Sequence, residues 1–398
     1  MPQKIKIFNG KVILSDRIIP AATVLISGNR IIAVEEGNIE VTDAIEVDAK
    51  GKYISPGFID IHIHGGGGYD FMDESETAFL NIAKEHTKYG TTAMVPTTLT
   101  SDKEGLVKTL EIYEQACKKN DNGAQFLGMH LEGPYFAMSQ RGAQKPQYIR
   151  NPDPAEYVSI INRFGSSIKR WSAAPELTGA IEFGKYMCKQ GVIPAIAHSD
   201  AVYEEVLEAF QNGYTLATHL YSAMSGVTRR NGFRYAGVVE SAFLIDALDV
   251  EIIADGIHLP APLLKLVYKI KGPDRIALIT DAMRGAGTTS RRSILGNLST
   301  GLEVIIEDGV AKLPDRSAFA GSVATTNSLV RTMRKLADIT LVDAVKMATL
   351  TPARIMGVQD KKGQLTVGKD ADIIIFDEEI EIEKTIVQGS IVYDKDIF

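Results

Sequence analysis

Cysteine is nearly absent: Cys117 and Cys188 are the only two in 398 residues. That excludes a disulfide framework and points to a reducing, cytoplasmic setting. Long apolar runs are missing as well. No stretch reaches the ~20 apolar residues of a membrane span. The opening Met1-Pro2-Gln3-Lys4-Ile5-Lys6 lacks the apolar core of a signal peptide, so none is expected. Positive charge is not in excess: 43 Lys and Arg against 50 Asp and Glu leave a net charge of −7. Bulk charge therefore argues against a nucleic-acid partner. What remains is globular composition, 45% hydrophobic and 23% charged, long enough for one large domain and a small one.

Residues 1–55 read as short strands with tight turns. Asn9-Gly10, inside Ile5 to Leu14, is a hairpin signal, and Ser27-Gly28-Asn29-Arg30 is a second. Ile45 to Asp48 is another strand. The far end repeats the pattern: Ile386-Val387-Gln388-Gly389-Ser390-Ile391-Val392 parallels Ile7 to Ile13. Neither end alone has enough strands to close a core. The two are expected to pair into one small β domain, residues 1–55 with 356–398, leaving 56–355 as an insertion.

The insertion alternates strands with helical runs, the signature of a parallel sheet. The strand candidates are Phe58–His64, Thr91–Pro96, Phe126–Glu132, Ile168–Ala174, Val192–His198, Thr215–His219, Val250–Ala254 and Ile276–Asp281. Amphipathic runs between them include Lys103–Cys117, Pro154–Phe164 and Leu177–Gln190. An α/β fold follows, a TIM (β/α)8 barrel, whose catalytic face lies at the strand C-termini.

The polar residues fall on that face. His62 and His64 are two apart on one strand, so they share a side of it. Glu132 ends strand 3, His198 strand 5, His219 strand 6 and Asp281 strand 8, and His258 follows strand 7. Imidazoles, a carboxylate able to bridge and a late aspartate suit a two-metal hydrolytic site. His86, on a helical run, is expected at the surface. Gly65–Gly68 is not followed by the GKS/T of a nucleotide loop. Ala320-Gly321-Ser322 reads as a helix cap, with a helix over Thr325–Leu336.

In order along the chain stand PGFID-H-H-G, HLEGP, AHS, THL-AM, ADGIH, TDAM and AGS. These motifs resemble the N-acetylglucosamine-6-phosphate deacetylases, a branch of the amidohydrolase superfamily, over residues 5–395, and the resemblance implies a TIM barrel with a β-sandwich built from both chain termini. The resemblance implies that Glu132, His198 and His219 hold a main metal, zinc or iron. It implies that His62 and His64, with Glu132 bridging, hold a second. Asp281 would be the catalytic acid and base. His258, Arg230, Ser222, Ala223 and Gln144 would contact a phosphorylated N-acetyl amino sugar, with Arg230 on its phosphate. The family's dimers imply a homodimer in which that arginine reaches the partner's site. Strand 4 ends in Ala173-Ala174-Pro175-Glu176, without the lysine of the dihydroorotase-like branch. Ser222 stands where the family usually has asparagine, and Gln144 where many members have histidine. The competing expectations are a deacetylase of another N-acyl hexosamine phosphate, such as the galactosamine epimer, and a non-catalytic metal-binding paralogue.

Overall fold

The structure, a computed structural model, describes residues 2–397. The barrel strands are β1 (Phe58–Ile63), β2 (Thr91–Thr98), β3 (Met129–Glu132), β4 (Ile168–Ala173), β5 (Ile193–Ile196), β6 (Leu216–Ala217), β7 (Asp249–Ile252) and β8 (Ile276–Leu278). Each pairs with the next in parallel, from β1 through to β8. The seam between β8 and β1 is closed beyond the end of β8. There Asp281 N donates to His62 O at 2.9 Å, and the Thr280 hydroxyl donates to Asp60 Oδ2 at 2.5 Å.

Strand 3 is shorter than the sequence suggests. Gln125–Phe126 pairs with β2 at Ala93 and Met94, and β3 then pairs with it at Thr97 and Thr98. Gly128, at φ 119°, breaks the run. A Cβ there would stand 2.7 Å from Lys169 Cβ, so glycine lets β3 settle beside β4. Helices Lys103–Cys117 and Pro154–Phe164 form where their periodicity places them, capped by the side chains of Asp102 and Asp153.

The two chain ends meet in one eight-stranded sheet. Its central joint is Tyr53–Pro56 running antiparallel to Ile373–Phe376. Ile5, Ile7, Val24, Ile54, Ile373 and Ile375 form a core separate from that of the barrel.

Three expectations are corrected. Asn9-Gly10 is not a turn: Lys4–Ile13 is one strand, with register shifts on both sides of Gly10. The same local signal is a real turn at Gln388-Gly389, between Ile382–Val387 and Ser390–Asp394. His86 is not at the surface. It is fully buried, with Nε2 3.1 Å from Gly65 O. Ala320-Gly321-Ser322 does not cap the following helix. That helix starts at Thr326 behind Thr325 and passes at Met333 into a π-helical turn. Ser322 instead ties down the end of β8, donating from N to Asp281 O at 2.8 Å and from Oγ to Thr280 O at 2.5 Å.

Candidate metal centre

The ends of β1, β3, β5, β6 and β8 converge on Glu132. Its Oε1 lies 3.0 Å from His219 Nε2, 3.3 Å from His198 Nε2 and 3.5 Å from His62 Nε2. Its Oε2 lies 3.5 Å from His64 Nε2. Asp281 Oδ1 stands 3.1 Å from His64 Nε2 and 3.5 Å from His62 Nε2. All of these side chains are buried. His198 (φ 47°), His219 (φ 31°) and Asp281 (φ 48°) are left-handed. The chain turns sharply just past each strand, a strained geometry that gathers at functional sites.

Burial would raise the Glu132 carboxyl, but the imidazoles of His62, His198 and His219 hold it well below the usual carboxylate range. Burial opposes ionisation of Asp281 too, and His62 and His64 outweigh it. Both carboxyls are therefore anionic acceptors.

Two ligand groups overlap at Glu132: His62, His64 and Glu132, and Glu132, His198 and His219. Nitrogen and carboxylate donors of this kind suit a divalent transition ion. The surroundings fit one as well. His198 Nδ1 lies 2.8 Å from Gln140 O, and His219 Nδ1 3.1 Å from Ser222 O. A carbonyl can only accept, so each Nδ1 keeps its proton, and each Nε2 is the atom left to ligate an ion held together with Glu132. His62 Nε2 and His64 Nε2 face each other at 3.3 Å. With both in the ligating tautomer, their lone pairs would repel unless a cation lay between them.

The site opens into a cavity of about 530 Å³. His258, Ser222, Ala223, Gln144 and Asp281 line it. His258 Nδ1 is 2.7 Å from Asp255 Oδ2, which fixes the ring. Gln144 is less free than its type suggests. Thr100 N and Oγ1 donate to its Oε1 at 2.9 and 3.0 Å, so its Nε2 donates to Glu132 Oε2 at 2.8 Å. The amide braces the carboxylate at the centre of the cluster.

Arg230 does not line this cavity. It lies exposed on a hairpin, Thr228–Arg230 with Phe233–Tyr235, its guanidinium 5.3 Å from the Tyr235 ring centroid. His130 is buried behind the cluster, with Nε2 2.7 Å from Ser172 Oγ. Sequence reasoning missed Arg141, Gln140, Tyr221 and Phe319 of the lining. Arg141 and Gln140 share the loop of Gln144, so reading that loop whole would have found them. Phe319 arrives from a distant segment and left no local signal.

A model of the amidohydrolase family matches residues 53–392. An N-acetylglucosamine-6-phosphate deacetylase of Lysinibacillus sphaericus is 35% identical over 350 residues, 87% of each chain. An N-acetylgalactosamine-6-phosphate deacetylase of Escherichia coli O157:H7 is 32% identical over 361 residues, 91% of this chain and 92% of that one. A Mycobacterium smegmatis N-acetyl-D-glucosamine-6-phosphate deacetylase variant, solved with N-acetyl-D-glucosamine-6-phosphate, matches with a TM-score of 0.89 at 26% identity. The match covers 98% of this chain and 99% of that one.

Proposed function

The chain belongs to the amidohydrolase family, and on that premise we propose that it hydrolyses N-acetyl-D-glucosamine 6-phosphate to D-glucosamine 6-phosphate and acetate. The observation that carries this reading is Glu132 set among His62, His64, His198 and His219, with Asp281 beside them at one end of a cavity. Glu132 and the four histidines would hold one or two divalent ions, zinc or iron. A bound ion would supply Lewis acidity, lowering the pKa of water toward ~7 and polarising the acetamide carbonyl.

The remaining chemistry falls to the chain. Asp281 accepts the proton of the attacking water on its carboxylate. It then delivers that proton to the amine nitrogen as the C–N bond breaks, since an amine leaves poorly unless protonated. His258, fixed by Asp255, is assigned to the sugar, and Ser222 and Ala223 to the pocket wall beside it. Gln144 acts on the reaction through Glu132. Arg230, outside its own cavity, is assigned to the phosphate in a partner's site, which makes the working unit a homodimer. Val227 and Phe233 on the same hairpin region are 60% and 73% exposed, and a partner would cover them.

A second reading, the galactosamine epimer as substrate, is favoured by the relative from E. coli O157:H7. A cytoplasmic location is supported by the two free cysteines. Among the described residues no helix is long and apolar enough to cross a membrane. The separate core of the terminal sheet supports dividing the chain into 1–55 with 356–398, a β-sandwich, and 56–355, the catalytic barrel.

Steady-state kinetics on both epimers, with and without phosphate, test the reading alongside metal analysis of protein purified without chelator. The expected outcome is one or two ions per chain and preference for the phosphorylated glucosamine derivative. His219→Ala should lose the main ion and His62→Ala weaken only the second. Full activity in metal-free protein would refute the metal mechanism.

A further inference from the structure

Beneath the metal cluster lies a second set of charges inside the barrel. Arg170 on β4 and Glu251 on β7 are both fully buried. Four hydrogen bonds to three groups hold the guanidinium, while its Nε has none among the described residues. Its two terminal nitrogens bond both Glu251 oxygens, and they also donate to Ile61 O at 3.1 Å and Thr218 Oγ1 at 2.8 Å. Glu251 Oε2 in turn stands 3.5 Å from His62 Nδ1. His62 is thus unlike its neighbours. His198 and His219 present Nδ1 to backbone carbonyls. Neither His62 Nδ1 nor His64 Nδ1 makes a hydrogen bond among the described residues, but His62 Nδ1 has the Glu251 carboxylate facing it at 3.5 Å.

We infer that Glu251, held in place by Arg170, is a positioning residue for the metal pair: it fixes His62 as the Nδ1–H tautomer and so makes the second ion site. This rests on the metal reading above. The argument is one of acceptors. Both carboxylate oxygens accept from the guanidinium, and Oε2 has a further lone pair for the imidazole; a carboxylate can only accept. His62 must then carry its proton on Nδ1, which leaves Nε2 unprotonated for an ion held with Glu132 and His64. A carboxylate behind a ligating imidazole also makes the imidazole more basic. The buried Arg170 balances the carboxylate, which would otherwise be a lone charge inside the barrel.

The amide isostere reverses this logic. In Glu251→Gln the single amide oxygen is drawn to the guanidinium, which offers donors only. The amide NH2 then faces His62 Nδ1 and makes it an acceptor, moving the ring proton to Nε2, where an ion would bind. Removing the arginine's demand frees the amide oxygen for His62. The double variant Arg170→Met/Glu251→Gln should therefore recover the site that the single variant loses. A merely structural role for Glu251 predicts no such recovery.

The experiment is zinc titration of chelator-stripped wild type, Glu251→Gln and the double variant, with thermal unfolding recorded for each. Wild type that takes up no zinc would refute the metal reading itself. Given two sites in wild type, Glu251→Gln should bind the second ion 10- to 100-fold more weakly, the usual effect of such outer partners. The ion of His198 and His219 should be unchanged. The double variant should regain most of the loss. Both affinities falling together, or no recovery, would overturn the inference. If the single variant does not fold, imidazole nitrogen NMR of zinc-loaded wild type decides. A slowly exchanging Nδ1 proton on His62 is expected, and its absence would overturn the proposal.

Discussion

Asp281 shows how much one residue's backbone and surroundings set its chemistry. Its left-handed backbone is held by Ser322 N on its carbonyl and by its own N on His62 O. The carboxylate therefore has little freedom. Replacing it with an amide keeps size and shape and removes the ability to take a proton. Asp281→Asn should retain bound metal and lower kcat by at least ~10²-fold, the scale of general acid–base contributions. Near-normal turnover in that variant would remove Asp281 from the proton path. His86 makes the complementary point. The helical spacing Phe79, Ile82, Ala83, His86 puts it on the buried face, so helix phase gave the right answer where residue type misled. A Cβ on Gly66 would lie 2.3 Å from His86 Nε2, so the glycine after the ligand loop is what admits the ring. Burial pushes the His86 imidazole down to about 4. Its folded pKa is below its unfolded value, so the unfolded chain binds more protons between roughly pH 6.5 and 4. Stability from neutral His86 is present above that window and lost as pH falls through it, by up to about 3 kcal/mol. His86→Gln does not titrate. Urea unfolding between pH 4 and 7 should show a shallower acid slope for the variant, and parallel slopes would reject this account.

At the scale of elements, the barrel strands were legible because their buried runs alternate with amphipathic helices. The cluster of His62, His64, Glu132, His198 and His219 was legible because so few histidines exist and most sit at strand ends. Asn9-Gly10 was misread because a left-handed residue, here Asn9 at φ 55°, serves a bulge as well as a turn. Which one forms depends on the partner strand, and local sequence does not carry that. The small sheet Arg292–Leu295, Leu302–Glu307 and Val310–Lys312 was also missed, and it supplies Leu295 to the cavity wall. Arg284 fastens it. Its guanidinium donates to Ile294 O, Gly68 O, Gly296 O and both oxygens of Asp73, at 2.6 to 3.1 Å. One side chain thus joins the segment after Asp281, the glycine loop after His64 and the added sheet. Arg284→Leu leaves the buried Asp73 carboxylate without its counter-charge, with only the backbone donors of Asp70 and Leu298, a loss of the order of 3–5 kcal/mol. Chemical denaturation should show it. A loss below about 1 kcal/mol, the usual worth of an exposed pair, would mean that the clamp is not holding these loops.

Over the whole molecule, the pairing of the two chain ends could be anticipated from their incomplete strand sets. The position of Arg230 relative to the cavity could not, because the counting of residues along a loop does not say which way the loop leaves the barrel. The terminal sheet also bears on the metal centre. Phe376, on the strand beside Tyr53–Pro56, packs against Phe58, the first residue of β1, with ring centroids 6.4 Å apart. Thr385 Oγ1 donates to Thr87 O at 2.7 Å, and Asn327 Nδ2 to Ile380 O at 3.1 Å. The last strands are therefore bonded to the barrel as well as to the first strands. Ending the chain at Asp370 would strip one of the two strand partners from Tyr53–Pro56, expose an open sheet edge and uncover Phe58 at the root of the strand that carries His62 and His64. Such a chain should aggregate. Any soluble fraction should bind less metal, because β1 loses the packing that holds its register. Sedimentation of the expressed protein and metal analysis of the supernatant measure both effects. A soluble truncated chain with the full metal complement would mean that β1 is held by the barrel alone and that the terminal sheet contributes nothing to the site.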